Sequence, residues 1–71
     1  MELFFSNHIN DDIIILDSQE SRHCTKVLRK NVGDLVNVVD GVGNFYKGEL
    51  VLIDKNSCQI KVNEVINNYG K

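Results

Sequence analysis

The residues of this chain best suited to chemistry are cations: Arg22, Lys26 and Arg29 recur at i, i+4 and i+7, with His23 and Lys30 at their border. Side chains so spaced share one face of a helix at 100° per residue and present a positive stripe. Guanidinium groups grip a phosphate at two points and stack on unpaired bases, whereas Lys26 offers a point charge, so Arg22 and Arg29 should matter more. This is the chemistry of holding a polyanion. A solvated face, charged for solubility and for the helix dipole, is the plain alternative.

Other reactive residue types carry less. His23 could be a general base, but no nucleophile or acid pair stands at a supporting spacing. A structural histidine bonded at the helix edge is the better reading, with a contact to the polyanion second. Cys24 and Cys58 lack CxxC or Cys/His ligand spacing and read as small buried apolar side chains. Gly41-x-Gly43 is not a phosphate loop, because Tyr46 stands where the third glycine of GxGxxG belongs and a strand follows; it reads as a hairpin turn. Asp34 and Asp40 flank turns, where carboxylates bond nearby amides. No catalytic, metal or cofactor residue is assigned.

The stripe needs a helix, and residues 17–30 supply the pattern for one. They hold four of the chain's eight Lys and Arg residues. Asp17 and Glu20 have capping-box spacing, in which the Asp17 carboxylate takes an amide of the first turn and Glu20 reaches back. Cys24, Val27 and Leu28 share the face that should pack. Gly33-Asp34 then stops the helix and turns the chain into a β pattern.

Around this helix the sequence reads as strands. Residues 3–5 begin with Leu-Phe-Phe, one Phe inward and the next outward. Residues 7–12 are polar and turn-forming, and 13–16 are a short β-branched run. Residues 35–40 resume the pattern, 40–44 turn it back, and 44–53 place Tyr46, Gly48, Leu50 and Leu52 on one face against Lys47 and Glu49. A tight loop at 54–57 leads to 58–66, where Cys58, Ile60 and Val62 alternate with Gln59, Lys61 and Asn63. Phe4, Phe5, Phe45 and Tyr46 should be mostly core, although one outward Phe could stack a base. Five strands and one helix would leave open edges unless the sheet curls. The expected fold is mainly β with one helix: a small barrel or half-barrel, the helix plugging one end.

Seventy-one residues make one small core, burying roughly 60% of the surface of the unfolded chain. A 42% apolar content is too high for disorder, and no apolar run approaches the ~20 residues needed to span a bilayer. With no basic, apolar leader in residues 1–5, a cytoplasmic protein is expected. The net charge of −2 excludes a uniformly basic binder of nucleic acid and leaves a local patch. Four cations on single-stranded nucleic acid would give a log-log salt slope of about −3.

The ordered set His23-x-x-x-Val27-Leu28-Arg29, Gly33-Asp34, Asp40-Gly41-x-Gly43 and Tyr46, after the Leu3-Phe4-Phe5 start, resembles the N-terminal domain of the RsmE family, bacterial 16S rRNA (uridine-N3)-methyltransferases. The likeness spans almost the whole chain. It implies a PUA-like barrel over 1–66 that docks RNA, with 67–71 beginning a linker to a C-terminal, knotted SPOUT domain that is absent from these residues. That domain would bind S-adenosylmethionine, form a homodimer and methylate the uridine. Its partner would be small-subunit rRNA or the 30S subunit; no methylation is expected of these residues alone. The likeness singles out His23 and Arg29 as RNA contacts, beside the stripe of Arg22, Lys26 and Arg29 with Lys30 at its border. A barrel that packs on the catalytic domain without touching RNA is the competing reading.

Overall fold

The computed structural model describes residues 3–54 and 57–67. Six strands, β1 Phe4–Phe5, β2 Ile9–Asn10, β3 Ile13–Leu16, β4 Leu35–Val39, β5 Phe45–Ile53 and β6 Cys58–Ile66, accompany one short helix, α1 Ser18–Arg22, which runs into a π-turn at His23–Val27. They form one curled sheet in the order β1-β4-β5-β6-β3-β2. This is the small half-barrel that the strand pattern predicts, and it is consistent with the PUA-like barrel that the resemblance implies. Of the expected connection after residue 66, only Asn67 is described, and residues 55 and 56 of the expected loop lie outside the described residues.

The middle of the sheet, β4-β5-β6-β3, is antiparallel throughout. Its two open edges are taken by the two halves of one N-terminal segment. β1 runs parallel to β4, and β2 runs antiparallel to β3. Only residues 6–8 separate those halves, and Ser6 is the hinge between them. Its N–H donates to the Val39 carbonyl of β4 (3.1 Å), and its hydroxyl donates to the Ile15 carbonyl of β3 (2.6 Å). The same oxygen accepts the His8 N–H (3.1 Å), while Ile15 N–H donates to the His8 carbonyl (3.0 Å). Ser6 is 4% exposed, so these bonds form away from competing water.

Residues 7–12 therefore do more than turn. Ile9 and Asn10 form a strand, and Ile9 packs against the core; Asp11, at φ 56°, and Asp12 make the turn into β3. A strand of two residues is too short to show a period, which is why the sequence pattern yields five strands and the fold has six.

The core lies between the inner face of this sheet and the helical segment. Phe4, Val38, Leu50, Ile60 and Ile14 are all at most 1% exposed, and Cys24 joins them from above, so the helix closes one end of the barrel. Phe4 points in and Phe5, 47% exposed, points out. On β5 the expected inner face holds for Tyr46, Gly48 and Leu50 but not for Leu52, which is exposed. Register slips between Leu50, opposite Ile60, and Leu52, opposite Gln59, leaving Val51 as a bulge that rotates the strand end outward. Gly48 is required by close approach: a Cβ there would stand 2.5 Å from Ile60 Cγ2 and 2.6 Å from the Lys61 carbonyl oxygen.

Ser6→Ala should leave the Ile15 carbonyl and His8 amide without their buried partner. The expected cost is about 1–3 kcal/mol, read as a fall in Tm of about 4–8 °C per kcal/mol for a domain of this size. An unchanged melting curve would show that the edges close without the hydroxyl.

Candidate nucleic-acid interface

The helix starts as its sequence requires and then departs from it. Asp17, in extended backbone geometry, caps α1 by accepting the Glu20 N–H (2.8 Å). Glu20 does not reach back to close the capping box. Its carboxylate instead accepts the Phe5 N–H (2.6 Å), tying β1 to the helix.

After Arg22 the backbone widens to i→i+5 bonding, in which Leu28 N–H donates to the His23 carbonyl (3.0 Å), and beyond it Lys30 N–H closes the segment by donating still further back, to the Cys24 carbonyl (2.9 Å). Ser21, 3% exposed, ties the helix to the end of β3 by donating to the Leu16 carbonyl (3.2 Å), and Thr25 donates back to the Ser21 carbonyl (3.0 Å), a bond of the kind that bends a helix. The helix predicted over 17–30 thus ends at Leu28, and Arg29 takes a left-handed φ of 56°. The wider turn also rearranges the faces. Cys24 is buried and Leu28 packs on the core as expected, but Val27 is turned out and is 64% exposed.

Arg22, His23, Lys26 and Arg29 are all exposed. Arg22 ends α1 and Lys26 lies in the π-turn one turn later, whereas Arg29 leaves the helical path, so the three do not form the straight row of an ideal helix. His23 sets its ring edge-on to the buried Phe4 ring, with centroids 5.9 Å apart. Its structural contact is aromatic, not the hydrogen bond expected. Lys30 is half-buried, takes part in an interaction of its own, and lies near enough to Cys24 to pull that thiol's pKa down. Burial, then the neighbouring Cys58, outweigh it and push Cys24 up to about 11, so the thiol is protonated and inert at neutral pH.

The neighbouring carboxylates are committed to the chain's own amides. Asp17 and Glu20 are held as described, and Asp34 accepts the Asn31 N–H (2.7 Å). Among the described residues, neither Arg22 nor Arg29 forms an ion pair; the pair present is Lys61 with Asp12, at 3.9 Å.

Asp40 organises the turn between β4 and β5. It accepts the Val42 and Asn44 amides (2.9 and 3.2 Å), the Asn44 side-chain N–H (2.8 Å) and the Tyr46 hydroxyl (3.0 Å). Partial burial raises its pKa, but these hydrogen bonds outweigh burial and hold the carboxyl below its ordinary value; burial and the bond to Asp40 raise Tyr46 in turn. Gly41 and Gly43 in this turn have φ of 81° and 104°, so the glycine pair builds a turn, as read. On the outer face a groove of about 270 Å³ opens over Asn37, Lys47, Asn63 and Glu64, where β6 bulges. Lys47 and Glu64 stand opposite each other there, which leaves little net charge for a phosphate. Among the described residues no three of His, Cys, Asp or Glu gather as a metal site, and no helix is long and apolar enough to cross a membrane.

Comparison with known proteins follows the same lines. A family profile described as the RNA methyltransferase PUA domain matches residues 16–63. No curated protein matches the chain. Among solved structures, a predicted RNA methyltransferase from Thermotoga maritima is 25% identical with a TM-score of 0.88, over 100% of this chain and 32% of that one. A probable rRNA-methyltransferase from Porphyromonas gingivalis is 29% identical with a TM-score of 0.83, over 94% and 28%. Ribosomal RNA small subunit methyltransferase E from Neisseria gonorrhoeae, solved bound to S-adenosyl methionine, shares the fold at 19% identity with a TM-score of 0.76, over 93% and 28%. The chain spans about a third of the length of these structures.

Two substitutions test the local chemistry. Asp40 has a lower pKa folded than unfolded, so its contribution is complete above the unfolded value of about 3.9 and is lost as pH falls through the folded one. Asp40→Asn should therefore cost about 1 kcal/mol at neutral pH, and denaturant melts at successively lower pH should show that difference vanish. Arg29→Gly should stabilise the domain by about 0.5–1 kcal/mol, because glycine adopts the left-handed conformation without steric cost; a lower midpoint would contradict the strained backbone.

Proposed function

The chain belongs to the RNA methyltransferase PUA-domain family, and from that premise we propose that it is the RNA-docking domain of an S-adenosylmethionine-dependent enzyme that methylates N3 of a uridine in 16S rRNA. The observation that carries the RNA contact is the state of the charges around the helix. Arg22, Lys26 and Arg29 are exposed, while Asp17, Glu20 and Asp34 are held by backbone amides. These acids keep their charge but are drawn toward the backbone, which leaves the exposed cations as the groups able to reach a polyanion on a chain whose net charge is −2.

In this reading Arg22 and Arg29 grip phosphates in two-point fashion and Lys26 adds a point charge. His23, exposed at the same segment, and Lys30, at its border, complete the contact set. The residues after 66 begin the connection to a catalytic SPOUT domain, which would hold S-adenosylmethionine, form the homodimer and carry out methyl transfer. The substrate would be small-subunit rRNA, free or in the 30S subunit, in the cytoplasm. The likeness to RNA methyltransferase structures about three times as long supports this division of labour.

Fluorescence anisotropy with a small-subunit rRNA fragment tests the surface. Weak binding is expected, with a log-log salt slope of about −3 for four phosphates on a single strand. The double reversal Arg22→Glu with Arg29→Glu should abolish it. Equal affinity of the reversed variant would reject this surface.

A further inference from the structure

The register of the sheet puts four apolar residues in one row on the face opposite the core. Phe5 pairs with Val39, Val39 with Phe45, and Phe45 with Ile66, across β1, β4, β5 and β6. The adjacent positions Phe4 and Val38 are buried in the core, so this row points outward. Phe5 is 47% exposed and is the open end of the row, Val39 and Ile66 are half-buried, and Phe45 is buried and already takes part in an interaction of its own. An antiparallel sheet with one face to water carries polar residues on that face. The next row here obeys the rule, with Asn37, Lys47 and Glu64 in register.

We infer that this row, through Phe5 at its open end, is the surface on which the polypeptide following residue 71 in the full-length protein docks. The inference rests on the reading of the chain as one domain of a longer methyltransferase, and it is independent of the RNA contact. Three observations select that occupant. The row ends at Ile66, the last residue of β6, so the continuing chain leaves from the row itself and meets it at a high effective concentration. The structures that share the fold are about three times as long, which supplies a body large enough to cover it. Charge disfavours a nucleic acid on this face: Lys47 stands opposite Glu64 and Lys61 opposite Glu49, so each cation has a carboxylate across the ladder and these pairs add no net positive charge. Phe5 is the anchor, since aromatic side chains dominate the energetics of such contacts. It is held ready by the β4–β5 turn, where a Cβ at Gly41 would stand 2.8 Å from the Phe5 ring.

Hydroxyl-radical footprinting tests this by comparing the 71-residue chain with the full-length protein. Phe5 should be labelled several-fold less in the full-length protein, whereas Leu35, 71% exposed at the far end of the outer face, should be labelled alike in both. Phe5→Gln in the full-length protein should increase labelling of Val39 and Ile66 and leave rRNA affinity unchanged. Equal labelling of Phe5 in both proteins overturns the inference, as does protection that appears only when RNA is added, which would make Phe5 a base-stacking residue. Protection in the 71-residue chain that grows with its concentration also overturns it, in favour of a second copy. Because affinity of the Arg22→Glu and Arg29→Glu variant is read separately, failure of the RNA surface and failure of this row are distinguishable.

Discussion

A four-stranded antiparallel sheet has two edges, and this domain satisfies both with one short piece of chain folded at a buried serine. Ser6 donates from its backbone to β4 and from its hydroxyl to β3, while its oxygen receives the amide of His8. Each of these groups would be costly to leave unpaired away from water. Phe4 reaches the core from β1, which pairs with β4 and is held there by residue 6, and the Glu20 carboxylate fastens the same strand to α1.

The helix is short because the domain needs it to cap the core more than to be regular. Cys24 and Leu28 must both face inward, and a π-turn brings residues four or five apart onto one side while turning Val27 out. The same widening ends the helix early and leaves Arg29 in a left-handed conformation that a non-glycine residue adopts at a cost. Backbone geometry of this kind tends to occur where side chains have work beyond folding. Here it carries the exposed cations, beside acids already engaged with amides.

The domain therefore has two surfaces of opposite character. The helical segment is cationic and wet; the end of the outer sheet face is apolar and aromatic. They meet at β1, whose Phe5 sends its amide to the helix and its ring to the outer row.

Much of this architecture was legible in residues 13–16, 35–39 and 58–66, whose β-branched runs and alternation mark buried strands whatever surrounds them, and in Asp17, whose carboxylate needs only its own helix start to act. Turn chemistry at Asp40 and the glycine pair was equally local. The identities of the exposed cations were readable too, because composition and spacing list them without reference to the fold. What the tertiary structure alone decided involves partners far apart in the chain. Ser6 becomes a clasp only once Val39 and Ile15 arrive beside it, and Glu20 forsakes its cap only because Phe5 offers an amide. Val27 and Leu52 left their expected faces where a π-turn and a bulge changed the period. Local pattern records what a residue prefers; long-range hydrogen bonds and packing choose among preferences, and they have no period to read.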